Sequence, residues 1–66
     1  MATIKVIELI GGSSKSWEDA AANALEKASK TISNIRGLEA VATTAKVDGS
    51  KIVEFRTTVK IAFEVD

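Results

Sequence analysis

The sequence of residues 52–65, IVEFRTTVKIAFEV, alternates apolar and polar side chains almost without interruption. Its odd positions carry most of the apolar side chains and both phenylalanines of the chain: Val53, Phe55, Val59, Ile61, Phe63 and Val65. Because successive side chains of a strand point to opposite faces, this period of two predicts a long β-strand with one buried face, and it does not suit a helix. We therefore expect the core to be built on that face.

A second strand is predicted over residues 38–47, where Val41 and Val47 are mixed with threonines and with Lys46. The dipeptide Asp48-Gly49 follows it. This pair is typical of a type I′ hairpin turn, whose two central residues both need positive φ. The turn joins the second strand to residues 52–65, so the two strands are predicted to pair antiparallel.

The first strand is predicted over residues 3–10 and is apolar on both faces. Ile4, Val6 and Ile10 lie on one face, Ile7 and Leu9 on the other, and such a strand needs cover on both. The Gly-Gly-Ser-Ser run at 11–14 is predicted to end the strand in a turn. A phosphate-binding loop is the alternative, but the run matches neither Gly-x-x-x-x-Gly-Lys nor Gly-x-Gly-x-x-Gly.

A helix is predicted over residues 17–33, with Ser16 as its N-cap. Apolar residues recur every three or four positions, which is typical of an amphipathic helix. This stripe consists of Trp17, Ala21, Leu25, Ala28, Ile32 and Ile35. Small side chains dominate the apolar side of the helix, where Ala20, Ala21, Ala24 and Ala28 cluster, so a sheet can approach closely. We interpret Trp17 as part of the core or of a subunit interface, with a stacking platform for a planar ligand as the alternative.

The predicted order is strand, helix, strand, strand in a single α+β domain, residues 1–66. A right-handed crossover gives the first and second strands the same direction, and the last strand fits between them. The sheet is therefore predicted to be antiparallel, in the order 1-3-2, and wrapped on one amphipathic helix. One helix covers only one face, and both outer strands are open edges. We interpret the uncovered surface as an oligomer interface.

Composition limits the chemistry. The 66 residues include no Cys, Pro or His, which excludes disulfides, thiolate or imidazole metal ligands, and His- or Cys-based nucleophile relays. We therefore do not expect an enzyme. Nine basic and nine acidic residues leave no net charge, which argues against nucleic-acid partners. With no signal-peptide pattern and no apolar run of membrane-spanning length, a cytoplasmic protein without membrane partners is expected.

Two kinds of binding site are candidates. Arg36 and Arg56 are candidates for a phosphate or carboxylate site if their guanidinium groups converge; the favoured alternative is that each pairs with Glu39 or Glu54 across strands. Carboxylates are hard ligands for calcium or magnesium, and copies meeting at a symmetry axis can collect them. The candidates for such a site are Glu54, Glu64 and Asp66, with Asp48; solvated carboxylates are the alternative.

The chain resembles the dodecin family over nearly its whole length. The resemblance rests on KVIELIG at residues 5–11, SWEDAAA at 16–22, VKIAF at 59–63 and the order of the elements. It implies a hollow spherical homododecamer that does no turnover. Many dodecins bind flavins in pairs between aromatic side chains and store them.

Four positions depart from the flavin site that the resemblance implies. Gly37 stands where flavin-binding members have the stacking Trp, and Arg56 where they have the Gln that reads the isoalloxazine edge. Ala42 and Lys46 stand at positions that are acidic in some members. The chain is more similar to the branch in which Arg flanks the missing Trp. Its members are not expected to bind flavin in the usual way, and a divalent-ion role is suggested among them.

Two functions follow from the resemblance. The first is a non-catalytic dodecameric shell that binds and stores a small ligand of flavin type, such as FMN. The residues expected to contact it are Arg36, Gly37, Arg56 and Lys46. The alternative is a structural or divalent-ion-binding dodecamer, with calcium or magnesium and no flavin.

Overall fold

The computed structural model describes residues 3–65, which form three strands and one helix. In chain order the elements are β1 (Thr3–Ser13), α1 (Trp17–Ser29), β2 (Ile35–Asp48) and β3 (Lys51–Val65). The strands form one antiparallel sheet in the order β1-β3-β2. The βαββ order and the central position of the last strand are thus confirmed.

The helix begins where the sequence predicts and ends earlier. The Ser16 side chain accepts a hydrogen bond from the backbone N–H of Asp19, which confirms the N-cap. The predicted end at residue 33 is wrong, because α1 ends at Ser29. Asn34 then adopts a positive φ of 62° and its carbonyl accepts a hydrogen bond from the N–H of Glu64, so the chain has already turned to join the sheet.

The core lies between α1 and one face of β3. Val59 and Ile61 are fully buried there against Ala24 and Ala28. The partly buried apolar side chains packed around them are Ile7, Leu9, Ala21, Leu25, Ile32 and Ile35. The apolar face predicted for the last strand therefore does contact the helix, and the alanines of α1 let the two elements approach closely.

The Gly11-Gly12 pair does not form the predicted turn, since β1 continues to Ser13. Gly11 pairs with Thr57 and Gly12 with Arg56. A Cβ on Gly11 would lie 2.0 Å from the carbonyl oxygen of Ala20, so α1 crosses β1 with no room for a side chain. Close packing of α1 on β1 therefore requires glycine at position 11, just as it requires the small alanines on the facing side of the helix.

The hairpin between β2 and β3 is present, with a different turn from the one predicted. Asp48 pairs with Lys51, so the two central residues are Gly49 and Ser50. Gly49 has φ of 65°, whereas Ser50 does not have positive φ. Glycine at the first central position alone matches a type II′ turn, so the type I′ prediction is wrong.

The strands are longer than predicted and reach past the helix. β2 begins at Ile35 rather than residue 38, because Ile35 already pairs with Phe63. We call residues 45–54, beyond the level of the helix N-terminus, the hairpin arm. Val53 lies on this arm and is 46% exposed, so its predicted burial on the core face is wrong within one chain. The molecule is accordingly elongated, 51 × 19 × 13 Å.

In the part of the chain that the structure describes, no helix is long and apolar enough to cross a membrane.

Candidate functional site

The sheet has one face without a helix, which we call the outer face. Register places residues of the three strands side by side on it, such as Val6, Ala62 and Gly37, and then Glu8, Lys60 and Glu39. The candidates on β3, Glu54, Arg56 and Glu64, occupy even positions and share this face, since the buried residues of the strand occupy odd positions. Gly37 and Lys46 on β2 pair with even positions of β3, Ala62 and Glu54.

An ion pair joins two neighbouring outer-face residues of β3. The Nε–H of Arg56 donates to Oε1 of Glu54 at 2.5 Å, and both side chains are partly exposed. The pairing with Glu54 was predicted as the alternative for this arginine, but it runs along one strand instead of across two. Residues two apart on a strand share a face, so β3 alone can form this pair.

The second carboxylate oxygen of Glu54 lies over Gly12. A Cβ on Gly12 would approach Oε2 of Glu54 to 3.3 Å, so the missing side chain leaves room for the carboxylate. The two residues line a hollow of about 370 Å³ together with Ile10, Gly11 and Arg56. The sequence interpretation of Gly12 as a turn residue missed this role, which only the β1–β3 register reveals.

A second ion pair lies at the other end of β3. The Nε–H of Arg36 donates to Oε1 of Glu64 at 3.0 Å, and the two side chains are exposed. Arg36 occupies a register irregularity between Ile35 and Gly37, where β2 bulges against β3. The predicted alternative partners, Glu39 and Glu54, are therefore wrong for this arginine.

The two arginines do not converge within one chain. Arg36 adjoins Gly37, which pairs with Ala62, whereas Arg56 lies six residues before Ala62 on β3. At about 3.3 Å per residue the separation is roughly 20 Å. The predicted two-arginine anion site is thus absent from the single protomer.

Gly37 and Lys46 are also far apart. A Cβ on Gly37 would have no neighbour within 4 Å, and the residue borders a groove of about 460 Å³. Val6, Leu38, Glu39, Lys60 and Ala62 complete this groove. Lys46 stands on the hairpin arm, directly across from Glu54 in the register. The four predicted ligand contacts therefore divide into two pairs, one toward each end of the sheet.

The predicted metal ligands are also separated. Glu54 and Glu64 lie on one strand, ten residues apart, which corresponds to roughly 33 Å. Asp66 lies outside the described residues. Among residues 3–65, no group of three or more acidic, His or Cys side chains is placed to hold a metal ion.

Trp17 ties the helix N-terminus to the hairpin. Its Nε1–H donates to the carbonyl oxygen of Thr44 at 2.7 Å, and its ring meets that of Phe55 edge-on, with centroids 4.9 Å apart. The fully buried Thr57 donates its hydroxyl to the carbonyl oxygen of Trp17. The indole is still 39% exposed, so its packing within the protomer is incomplete.

Comparison with known proteins identifies the family. The dodecin family model matches residues 3–66. A relative from Mycobacterium tuberculosis named calcium dodecin is 32% identical over 65 residues, which is 98% of this chain and 92% of the relative.

Solved structures agree with this match. A structure of calcium dodecin from M. tuberculosis, described as calcium chelating and as having a novel calcium-binding site, is 34% identical with a TM-score of 0.84, and the match covers 97% of this chain and 91% of that one. A dodecin from Streptomyces davaonensis is 26% identical with a TM-score of 0.93, covering 98% and 96%. The chain belongs to the dodecin family.

Proposed function

We propose that the protein is a non-catalytic, self-assembling dodecin that binds calcium through carboxylates shared between copies. The observation that carries the calcium assignment is the position of Glu54. Its Oε2 faces a hollow over Gly12 that a side chain there would narrow. The similarity to a relative named calcium dodecin supports the same metal.

Self-assembly is supported by the apolar surface that one helix leaves uncovered. The large apolar side chains that remain exposed on the strands are Ile4, Val6, Ile10, Leu38, Val41, Val47, Ile52 and Val53. Burial of apolar surface stabilises by about 25 cal/mol per Å², and a chain this short has a small core of its own. The proposed assembly is the hollow homododecamer of the family.

Calcium fits the donor set better than most metals do. Calcium takes six to eight oxygen ligands in flexible geometry, and the chain offers carboxylates but neither His nor Cys. One chain brings no such group together among residues 3–65, so the proposed site lies where copies meet. Glu54 is the proposed ligand, with Glu64 and Asp66 as the other candidates.

A second candidate function is supported by the groove beside Gly37. Its volume of about 460 Å³ suits a small organic molecule, and Lys60 lines it. An anionic ligand of flavin type, such as FMN, would contact Arg36, Gly37, Arg56 and Lys46 drawn from several copies. Glycine provides no aromatic ring for stacking, which removes about 0.5–1.5 kcal/mol per aromatic pair and places this function second.

Calorimetric titration of the purified assembly with CaCl₂ tests the first function. We expect saturable binding that Glu54→Gln weakens at least tenfold, because the substitution removes a charged oxygen ligand and keeps the shape. Glu26→Gln on the exposed surface of α1 is the matched control and should leave the affinity unchanged. Absence of saturable calcium binding by the unmodified protein would overturn the proposal.

Fluorescence titration with FMN tests the second function. Quenching of the flavin with a defined stoichiometry would support it. An unchanged FMN spectrum at high protein concentration would disprove the second function.

A further inference from the structure

We propose that the hairpin arm docks on a second copy of the chain and that Trp17 sets the direction of the arm. This inference rests on the self-assembly in the proposed function and adds to it the segment by which copies hold one another. It does not depend on calcium.

The arm lacks the cover that the rest of the sheet has. β1 ends at Ser13, opposite Phe55, so beyond this level only β2 and β3 remain. The 13 residues of α1 span about 20 Å of a molecule that is 51 Å long, and the helix begins at the same level. The arm is therefore a ribbon of two strands without a third strand or a helix, and such a ribbon is marginally stable alone in water.

Both faces of the arm expose large apolar side chains. Val47 pairs with Ile52 on the outer face, and the two residues are 58% and 50% exposed. Val53 lies on the opposite face and is 46% exposed. A strand that is apolar on both faces needs cover on both. The helix of the same chain does not reach this far, so the cover comes from another chain.

The charges of the arm fit a second copy. Each face carries one basic and one acidic residue, because Lys46 pairs with Glu54 in the register and Asp48 with Lys51. Among the described residues, Lys46, Asp48 and Lys51 form no ion pair. A two-fold interface is self-complementary, so Lys51 of one copy can meet Asp48 of the other. A strongly acidic or basic partner would leave half of these charges opposed by like charge.

Trp17 holds both strands at the base of the arm. Its Nε1–H donates to the carbonyl oxygen of Thr44, the last residue of β2 before the arm, at 2.7 Å. Its ring meets that of Phe55, the first residue of β3 after the arm, with centroids 4.9 Å apart. Because two-stranded ribbons twist more than wider sheets, these contacts fix the direction in which the arm leaves the protomer. Trp17 is thus a positioning residue for assembly.

Sedimentation of Ile52→Thr and Ile4→Thr over a range of concentrations tests the docking of the arm. The two isoleucines are a matched pair, since both are 50% exposed on the outer face and they lie toward opposite ends of the sheet. We expect Ile52→Thr to raise the concentration at which the assembly dissociates about tenfold, because it removes apolar surface that docking buries, and Ile4→Thr to raise it less than about threefold.

Trp17→Phe tests the positioning role. The substitution keeps a ring against Phe55, loses the hydrogen bond to Thr44 and leaves the surface of the arm unchanged. We expect the assembly to dissociate at about fivefold higher concentration, while the diluted protomer keeps its native circular dichroism. Loss of that spectrum would mean that Trp17 serves the fold and not the direction of the arm.

The outcomes separate this inference from the proposed function. Equal effects of the two isoleucine variants would disprove docking through the arm and leave self-assembly standing. An assembly that Ile52→Thr does not weaken would also disprove it, and would leave the arm free for a different protein. A monomer of the unmodified chain would overturn self-assembly itself, whereas the calcium titration tests the metal independently.

Discussion

The two faces of β3 differ in what covers their side chains. On the core face, Val59 and Ile61 are fully buried by α1 of the same chain. On the outer face, Glu54 and Arg56 satisfy each other while apolar neighbours such as Ile10 remain exposed. One protomer therefore carries its own core, whereas its proposed site depends on other copies. We therefore expect substitutions on alternate residues of β3 to change stability and the proposed function separately.

The largest expected effect comes from the core face. Ile61→Ala leaves a cavity against Ala24 and Ala28, and such truncations cost about 2–5 kcal/mol. Ile52→Ala, at a half-exposed position of the hairpin arm, should weaken assembly while the protomer keeps its fold. Urea unfolding followed by circular dichroism, together with sedimentation, measures both. Equal loss of protomer stability in the two variants would remove the distinction between the faces.

A smaller effect is expected where the helix crosses β1. Gly11→Ala places a methyl group on the carbonyl of Ala20 and should cost about 1–3 kcal/mol, as overpacking does. The matched control is Gly37→Ala, whose Cβ meets nothing within 4 Å and should change the free energy of unfolding by less than about 0.5 kcal/mol. Similar values for the two glycines would show that α1 does not cross β1 so closely.

The helix cap should give the smallest of these effects. Ser16→Ala removes the acceptor for the N–H of Asp19 and is expected to cost about 1 kcal/mol in thermal or chemical unfolding. Ser16→Asp keeps an acceptor and should retain most of that stability. Equal losses in both variants would mean that the hydroxyl matters for something other than capping.

The sequence was sufficient for the fold because its strongest pattern, the alternation around Val59 and Ile61, belongs to the central strand. It was insufficient for features that depend on the register between paired strands. Gly11 and Gly12 look like a turn until β1 is paired with β3, and only then does one meet α1 and the other make room for Glu54.

The candidate site could be predicted only in part. The sequence names Glu54 as a partner for Arg56 but places the pair across two strands, whereas the pair forms along β3 alone. It fails for the convergence of Arg36 with Arg56, because the hairpin pairs Gly37 with Ala62 and so places the two arginines about six residues apart along β3. A site completed by other copies cannot be deduced from the residues of one chain, however regular its pattern.

Native mass spectrometry with and without calcium tests the central claim most directly, because it counts subunits and bound ions together. We expect a dodecamer that retains fewer calcium ions than subunits, since each ion is shared, and that loses them when Glu54 is replaced by Gln. A monomer, or an assembly of unmodified chains that retains no calcium, would contradict it.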